Sequence, residues 1–204
     1  MKRIIKLIIS IILVLTFVGL YRSWQDRQTL NENLIRLHVV ANSDSSEDQE
    51  TKIMVRDAVV EYLQPIMEQF PTKEQAMGFI RENLSALEDI ANDILAKIGA
   101  KETAVVSLEP EAFGTREYDT FTLPAGVYDA LRIEIGAADG KNWWCVVFPS
   151  LCLPATGDGF QDTAVSSGFS ETLTDTLSGE DGYELRFFLL DCIGKIENIL
   201  FNLY

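Results

Sequence analysis

The sequence predicts an α+β (mixed α/β) protein in which amphipathic helices pack on one β-sheet behind an apolar N-terminal segment. Strand-like alternation of apolar and polar residues occurs at 34–41 and again at 127–135, far apart in the chain. Runs with helical spacing lie between them, and another closes the chain. This mixed order is typical of one sheet with helices on it. The length of 204 residues and the hydrophobic content of 47% are sufficient for one core.

The first residues combine a positively charged start with a long apolar run. Lys2 and Arg3 precede an apolar stretch over 7–20, which is the pattern of an export signal. Counted over 4–21, the stretch is also long enough to cross a bilayer. No Ala-x-Ala triplet follows it, so a cleaved signal peptide over 1–22 and an uncleaved signal anchor both remain open.

Charge is distributed unevenly along the chain. Residues 1–30 hold 5 of the 17 basic and 1 of the 31 acidic residues, which leaves the remainder with a net charge of −18. A basic start and an acidic body predict that the N-terminus stays inside and the body is exported. The same charge excludes nucleic acid and anionic lipid headgroups as partners of the body, so membrane contact is expected only through the N-terminal segment.

Residues 23–33 are polar and are predicted to form a tether, followed by a single globular domain over 34–204. After the strand-like run comes the polar turn 42–48, where Ser46 and Gln49 could form a capping box. The helix after this turn is expected to end at Pro71. Its apolar stripe consists of Val55, Val59, Tyr62, Leu63, Ile66 and Phe70.

A second helix is predicted from Thr72 to Ile98. Thr72 and Gln75 form a capping box at its start, and Gly99 is a natural C-cap at its end. Short strand-like runs follow at 103–108 and 118–123.

The segment after these runs is expected to form a β-hairpin. Residues 127–135 alternate, 136–140 form a turn, and 142–148 are apolar on both faces, which predicts an interior strand. Residues 154–182 are rich in Gly, Ser, Thr and Asp without Lys or Arg, and are predicted to be a flexible acidic loop. A strand over 183–189 and a C-terminal helix close the chain. The apolar positions of that helix are Leu189, Ile193, Ile196, Leu200 and Leu203.

The chemistry-bearing residues give no catalytic constellation. The single histidine, His38, lies inside a predicted strand and is interpreted as structural. The sequence contains no Gly-x-Ser-x-Gly motif, no phosphate loop and no dinucleotide fingerprint. We therefore assign no catalytic, cofactor-binding or metal-binding residue, predict no cofactor, and expect that the protein is not an enzyme.

Oxygen-bearing side chains cluster at the start of the first helix of the domain. Asn42, Asp44, Asp48 and Glu50 have near-alternate spacing that hints at calcium, but Glu47 occupies the position where an EF-hand loop needs glycine. Carboxylates that stabilise a helix N-terminus explain the same residues. Further along this helix, Asp57 could reach back to the turn or pair with Arg56 or Arg132.

Cysteines and tryptophans concentrate in one short stretch. Cys145 and Cys152 could close a small disulfide loop in an exported protein, but buried free thiols remain an equal alternative. Trp143 and Trp144 should point to opposite faces of a strand. Either both are core residues or one is an exposed recognition residue.

Three segments resemble the signature blocks of the stage II sporulation protein R family. They read LIRLHVVANSDSSEDQETKIMVRDAVVEYL (34–63), LPAGVYDALRIEIGAADGKNWWCVVFPSLCL (123–153) and YELRFFLLDCI (183–193), in that family's order and behind an export signal. One departure is the single proline after Phe148, where the family often has two.

The resemblance implies a function that no motif shows. Family members are exported from the forespore into the space between forespore and mother cell. There they trigger a membrane-embedded aspartic protease that processes pro-sigma-E. The protein would be a signal that contacts the extracytoplasmic face of this protease. Our candidates for that contact are Asn42, Asp44, Asp48, Asp57, Asn142, Trp143, Trp144 and Pro149.

Two other classes of function remain as alternatives. An exported hydrolase of cell-wall glycans could use carboxylates such as Asp44, Asp48 and Asp57, although their spacing does not mark an acid/base pair. A binding module of the envelope without signalling is the third class.

Overall fold

The computed structural model describes residues 1–152, 160–179 and 184–203. Its elements, in chain order, are α1 (Lys2–Asn33), β1 (Ile35–Val40), α2 (Ser46–Met67), α3 (Lys73–Glu82), α4 (Leu84–Ile98), β2 (Ala104–Phe113), β3 (Arg116–Glu117), β4 (Thr122–Leu123), β5 (Gly126–Ile135), β6 (Asn142–Phe148), α5 (Phe160–Ser166), α6 (Glu171–Ser178) and α7 (Glu184–Phe201). The predicted α+β class, with one principal sheet and packed helices, is confirmed.

The principal sheet has the order β2-β5-β1-β6. Strand β1 is parallel to β5 and antiparallel to β6, and β2 is antiparallel to β5. The predicted hairpin of 127–135 with 142–148 is therefore wrong, because β1 lies between these two strands. Strand β6 is an edge strand rather than an interior one. It is apolar on both faces because each face of the sheet has a hydrophobic cluster, Cys145 and Val147 lying in one and Val146 in the other.

Helices cover the sheet on both sides. On one side, α2, α3 and α4 pack on the odd-numbered residues of β1, with Val59, Leu63, Ile80 and Leu87 fully buried. On the other side, the end of α1, α5, α6 and α7 pack over Leu34, Phe113 and Tyr128. Every residue of β1 is buried as a result.

The helix boundaries follow local capping chemistry. Ser45, one residue before the predicted Ser46, caps α2 by accepting a hydrogen bond from the Asp48 amide at 3.1 Å. Helix α2 ends at Met67, before the predicted end at Pro71. The predicted second helix is divided at Asn83 into α3 and α4, while the Thr72 cap and the left-handed Gly99, with φ of 75°, are present as predicted.

The predicted tether at 23–33 is wrong. These residues continue helix α1 without a break, and they bury Ser23, Asp26, Arg27 and Leu30. The first part of α1 is exposed, and by length and composition the helix could cross a membrane. Such a helix is compatible with both a signal sequence and an anchor.

Two further predictions near the C-terminus need correction. Within the predicted flexible loop at 154–182, residues 160–179 contain the short helices α5 and α6, whose Phe160, Leu173 and Leu177 are buried. The rest of that prediction, at 154–159 and 180–182, lies outside the described residues. The predicted strand at 183–189 is instead the first part of α7, with Tyr183 outside the described residues. The predicted run 118–123 becomes the turn and second strand of the small β3–β4 hairpin.

Candidate partner-binding surface

The turn after β1 lies beside the first residues of β6. In the sheet register, Val40 pairs with Asn142 and Val39 pairs with Trp143. This pairing brings Asn142 and Trp143 to the same end of the sheet as the 42–48 turn. Most of the predicted contact residues are therefore neighbours, although they belong to separate parts of the sequence.

The 42–48 turn holds the loop between β5 and β6. Asn42 Oδ1 accepts a hydrogen bond from the Ala137 amide at 2.9 Å, and Asp44 Oδ1 accepts one from the Lys141 amide at 2.7 Å. Gly140 lies so close to the turn that a Cβ atom there would be 2.3 Å from the Ser43 carbonyl oxygen. The turn thus has a structural role in fixing the start of β6.

Asp48 is engaged within the same turn. It accepts hydrogen bonds from Ser43 Oγ and from Asn42 Nδ2, the latter at 3.0 Å. These hydrogen bonds lower the pKa of the Asp48 carboxyl below its ordinary value. The position of Asp48 in the first turn of α2 agrees with the helix-terminus interpretation. Among the described residues, no group of three or more His, Cys, Asp or Glu is arranged to hold a metal ion.

Trp143 lies on the α2 side of the sheet and is 37% exposed. The guanidinium carbon of Arg56 is 4.2 Å from the centre of its ring, within the range of a cation–π contact. Arg56 Nε also donates to Asp57 Oδ1 at 2.8 Å, so Asp57 pairs with Arg56 and not with Arg132. We call Arg56, Asp57 and Trp143 the Trp143 patch. Exposed Met54 lies two residues before Arg56 in the same helix.

Trp144 lies on the opposite face, as the alternation of a strand requires. It stacks against His38 with ring centres 5.6 Å apart, and the Arg116 guanidinium lies 3.3 Å from its ring centre. Burial lowers the pKa of Arg116. Trp144 is partly exposed. Because the two tryptophans lie on opposite faces of the sheet, one partner surface would not contact both of them.

His38 belongs to a charged cluster on that second face. Its Nδ1 lies 2.8 Å from Glu111 Oε1, and Arg132 donates to the same oxygen at 2.8 Å. His38 is buried beside Phe113 and Trp144, and its Nε2 has no hydrogen-bond partner within the described part of the chain. Within the described residues, the side chain of His38 hydrogen-bonds to Glu111 and packs between the rings of Phe113 and Trp144.

Pro149 lies at the other end of β6, about 20 Å along the strand from Asn142. It is buried and lines a cleft of about 520 Å³ together with Phe70, Pro71 and Thr163. The structure therefore does not unite Pro149 with the Trp143 patch.

Cys145 and Cys152 are joined by a disulfide, with Cα atoms 5.4 Å apart. The bond ties β6 to the segment that follows it. Cys192 is a free thiol in α7.

Sequence reasoning missed the buried arginine Arg36 on the same face of the sheet as Trp144. Arg36 is 0% exposed, donates to the Tyr118 hydroxyl at 2.8 Å and lies 4.4 Å from the centre of the Phe113 ring. Arg36 alternates with Leu34 and His38 along the predicted strand, so all three were expected on one face of the sheet. The aromatic residues that contact Arg36 come from distant segments of the chain, and a local sequence pattern does not show such contacts.

Comparison with known proteins gives a family match and a full-length relative. A model of the family described as Stage II sporulation protein R matches residues 31–157. Stage II sporulation protein R of Bacillus subtilis (strain 168) is 31% identical over 222 aligned positions, which cover 96% of this chain and 99% of that protein. No solved structure matches the chain. Every predicted contact residue, from Asn42 to Pro149, lies within the range matched by the family model.

Proposed function

The chain belongs to the stage II sporulation protein R family, and we propose that it is an exported signal of endospore formation. It acts in the space between forespore and mother cell. There it activates the membrane-embedded aspartic protease that processes pro-sigma-E. The resemblance that covers 96% of this chain and 99% of the relative is the observation that carries this proposal.

The course of helix α1 supports an action close to a membrane. Its apolar part is exposed, and the same helix enters the body without an intervening loop. While α1 is retained, the body sits directly on the outer face of the membrane. If the signal is cleaved before Ser23, the buried residues Ser23, Asp26, Arg27 and Leu30 remain with the body.

Activation without catalysis requires differential binding. A ligand shifts a protease from an inactive to an active state only if it binds the active state more tightly. A shift from 1:99 to 99:1 needs a preference of roughly 10⁴-fold. We propose that the Trp143 patch supplies the core of this contact, since tryptophan and arginine are both enriched among the residues that dominate binding energy.

The geometry favours a signal over a carboxylate hydrolase. Asp44 accepts from the Lys141 amide, Asp48 from Asn42 and Ser43, and Asp57 from Arg56. A general acid or base must reach the proton that it transfers, and each of these carboxylates already accepts a hydrogen bond from a group of the protein itself. Incubation of the purified protein with peptidoglycan tests the alternative, because turnover that Asp44→Asn or Asp57→Asn abolishes would replace the signalling proposal.

The proposal is tested by reconstitution in a non-sporulating host. The full chain is expressed with the candidate protease and pro-sigma-E from the same organism, and the shortened sigma factor is detected by blotting. Cleavage is expected only when the chain is present. A variant that lacks residues 1–22 and stays inside the cell controls for topology and should give no cleavage. Equal cleavage with the exported and the retained variant would contradict an extracytoplasmic signal.

A further inference from the structure

Within the described part of the chain, helix α7 has an exposed apolar stripe that no other element covers. Leu185 is 72% exposed and Phe188 is 59% exposed, and the same face continues toward the C-terminus. The spacing of these positions places them on one side of an α-helix. The stripe consists of Leu185, Phe188, Ile196 and Ile199, and exposed Leu203 follows after the last helical residue.

Ion pairs fix the direction of α7 relative to α1. Arg186, in the first turn of α7, pairs with Asp26 at 2.8 Å, whereas Glu197, three turns later, pairs with Arg27. Asn31, one turn further along α1, lies 3.4 Å from the same Glu197 carboxylate. The two helices therefore run in the same direction, with the start of α7 nearest to the apolar part of α1.

The start of α7 lies at the depth where α1 would leave a bilayer. Leu185 and Leu189 line a groove together with Gly19, Arg22 and Ser23 of α1, and Arg186 lies at the same groove. Gly19 belongs to the last turn of the stretch that is long enough to span a membrane. The half-exposed aromatic residues Tyr21 and Trp24 lie at the same level, and such residues are enriched at the membrane–water interface.

We propose that, while α1 is retained as an anchor, the first turns of α7 insert Leu185 and Phe188 into the outer interface of the bilayer that α1 crosses. The occupant of this end of the stripe is lipid, because Leu185 borders the same groove as Gly19, where the exposed apolar surface of α1 ends. The contact is driven by apolar burial and not by charge, since the body is strongly acidic. It adds a second membrane contact beyond the N-terminal segment and holds the body upright. The inference does not depend on the signalling role.

The upright arrangement predicts a gradient of lipid contact along α7. Ile199 lies 11 residues after Phe188, which is about 16 Å further along the helix. This distance places Ile199 beyond the interfacial zone. The two ends of one stripe thus provide a test site and a matched control in the same helix.

Site-specific fluorescence tests the gradient in the full chain. The chain carries Cys192→Ser, so that a single introduced cysteine, Leu185→Cys, Phe188→Cys or Ile199→Cys, takes an NBD label. Each labelled chain is placed in phosphatidylcholine nanodiscs with or without doxyl-labelled lipid. Circular dichroism verifies that each variant is folded. We expect blue-shifted emission and quenching by doxyl lipid at 185 and 188, and neither effect at 199.

Three results would overturn the inference. Water-like emission without quenching at 185 and 188 would mean that lipid does not contact the start of α7. Equal quenching at 185 and 199 would mean that α7 lies flat on the membrane. A blue shift that grows with the number of chains per disc, without quenching by lipid, would assign the stripe to a second copy of the protein.

Discussion

Arg27 Nη2 lies 2.6 Å from Glu197 Oε2, and this ion pair joins the two ends of the chain. Arg27 also donates to the Val127 carbonyl at 3.0 Å and covers the Tyr128 ring at 4.3 Å. Its side chain is 3% exposed, whereas that of Glu197 is 35% exposed. The helix that follows the apolar segment is therefore part of the folded body and not a linker.

Because Arg27 is buried and Glu197 is partly exposed, removing Glu197 should destabilise the protein more than removing Arg27. In Ser23–Tyr204, Glu197→Ala should lower the free energy of unfolding by about 2–4 kcal/mol, because it leaves the buried guanidinium without an anion. Arg27→Met should cost about 1–2 kcal/mol, because Glu197 can be hydrated and the methionine retains apolar packing. Urea denaturation measures both values, and a larger loss for Arg27→Met would contradict the assigned geometry.

The two adjacent tryptophans should have separable effects. Trp143→Ala is expected to leave the protein folded, with a loss of about 1 kcal/mol, but to reduce activation of the protease roughly 30-fold if about 2 kcal/mol of binding is lost. Trp144→Ala should cost about 2–3 kcal/mol of stability, because it removes the contacts with His38 and Arg116. Thermal unfolding and the cleavage assay together distinguish them. If the folded Trp143→Ala protein activates the protease as well as wild type does, the Trp143 patch is not the contact surface.

The disulfide predicts a specific thiol count. Under denaturing, non-reducing conditions one thiol per chain, that of Cys192, should react with a thiol reagent, and all three should react after reduction. Closing so short a loop predicts a stability contribution of about 2–3 kcal/mol, which Cys145→Ser/Cys152→Ser would remove. Three reactive thiols in exported protein before reduction would show that the bond does not form.

The lowered pKa of Asp48 predicts that the free energy of unfolding falls in acid. Hydrogen bonds from Ser43 and Asn42 hold its pKa below the ordinary value in the folded protein. The stabilisation that the ionised Asp48 carboxylate gives is therefore fully present above the pKa of aspartate in the unfolded chain, near 4. It disappears as the pH falls through the lower pKa that Asp48 has in the folded protein. The difference in unfolding free energy between wild type and Asp48→Asn should be constant from about pH 5 to 7 and shrink below about pH 4.

Glu47→Gln is the matched control for this pH dependence. Glu47 is an exposed acid in the same first turn of α2, outside the Asn42–Ser43 hydrogen bonds. Its substitution should change stability less than Asp48→Asn at every pH. A difference for Asp48→Asn that grows in acid would contradict the assigned contacts.

Local patterns predicted the elements of the central sheet well. Period-two alternation located β1 and β5, and capping chemistry located Thr72 and Gly99. The pairing of strands could not be predicted in the same way. Strand β1 pairs in parallel with β5, about a hundred residues away, and sequence periodicity shows which face of a strand is buried but not which strand lies beside it.

The errors at both ends have related physical causes. The polar segment 23–33 was predicted as a tether because few of its residues are apolar, yet Asp26 and Arg27 are buried as ion pairs with α7. The run 183–189 is short enough to fit strand or helix, and the helical spacing from Leu185 through Phe188 becomes decisive only when the longer run is considered. Each error concerns a segment whose structure depends on its distant partner.

The most direct test of the signalling account adds the protein from outside the cell. Purified Ser23–Tyr204, which keeps the buried part of α1, is added to protoplasts that make the protease and pro-sigma-E, and the initial rate of sigma shortening is measured. The account predicts a rate that rises and saturates with added protein, and a higher half-saturating concentration for Trp143→Ala. A rate that stays at background at every concentration, in protoplasts whose protease is active when the full chain is coexpressed, would contradict it.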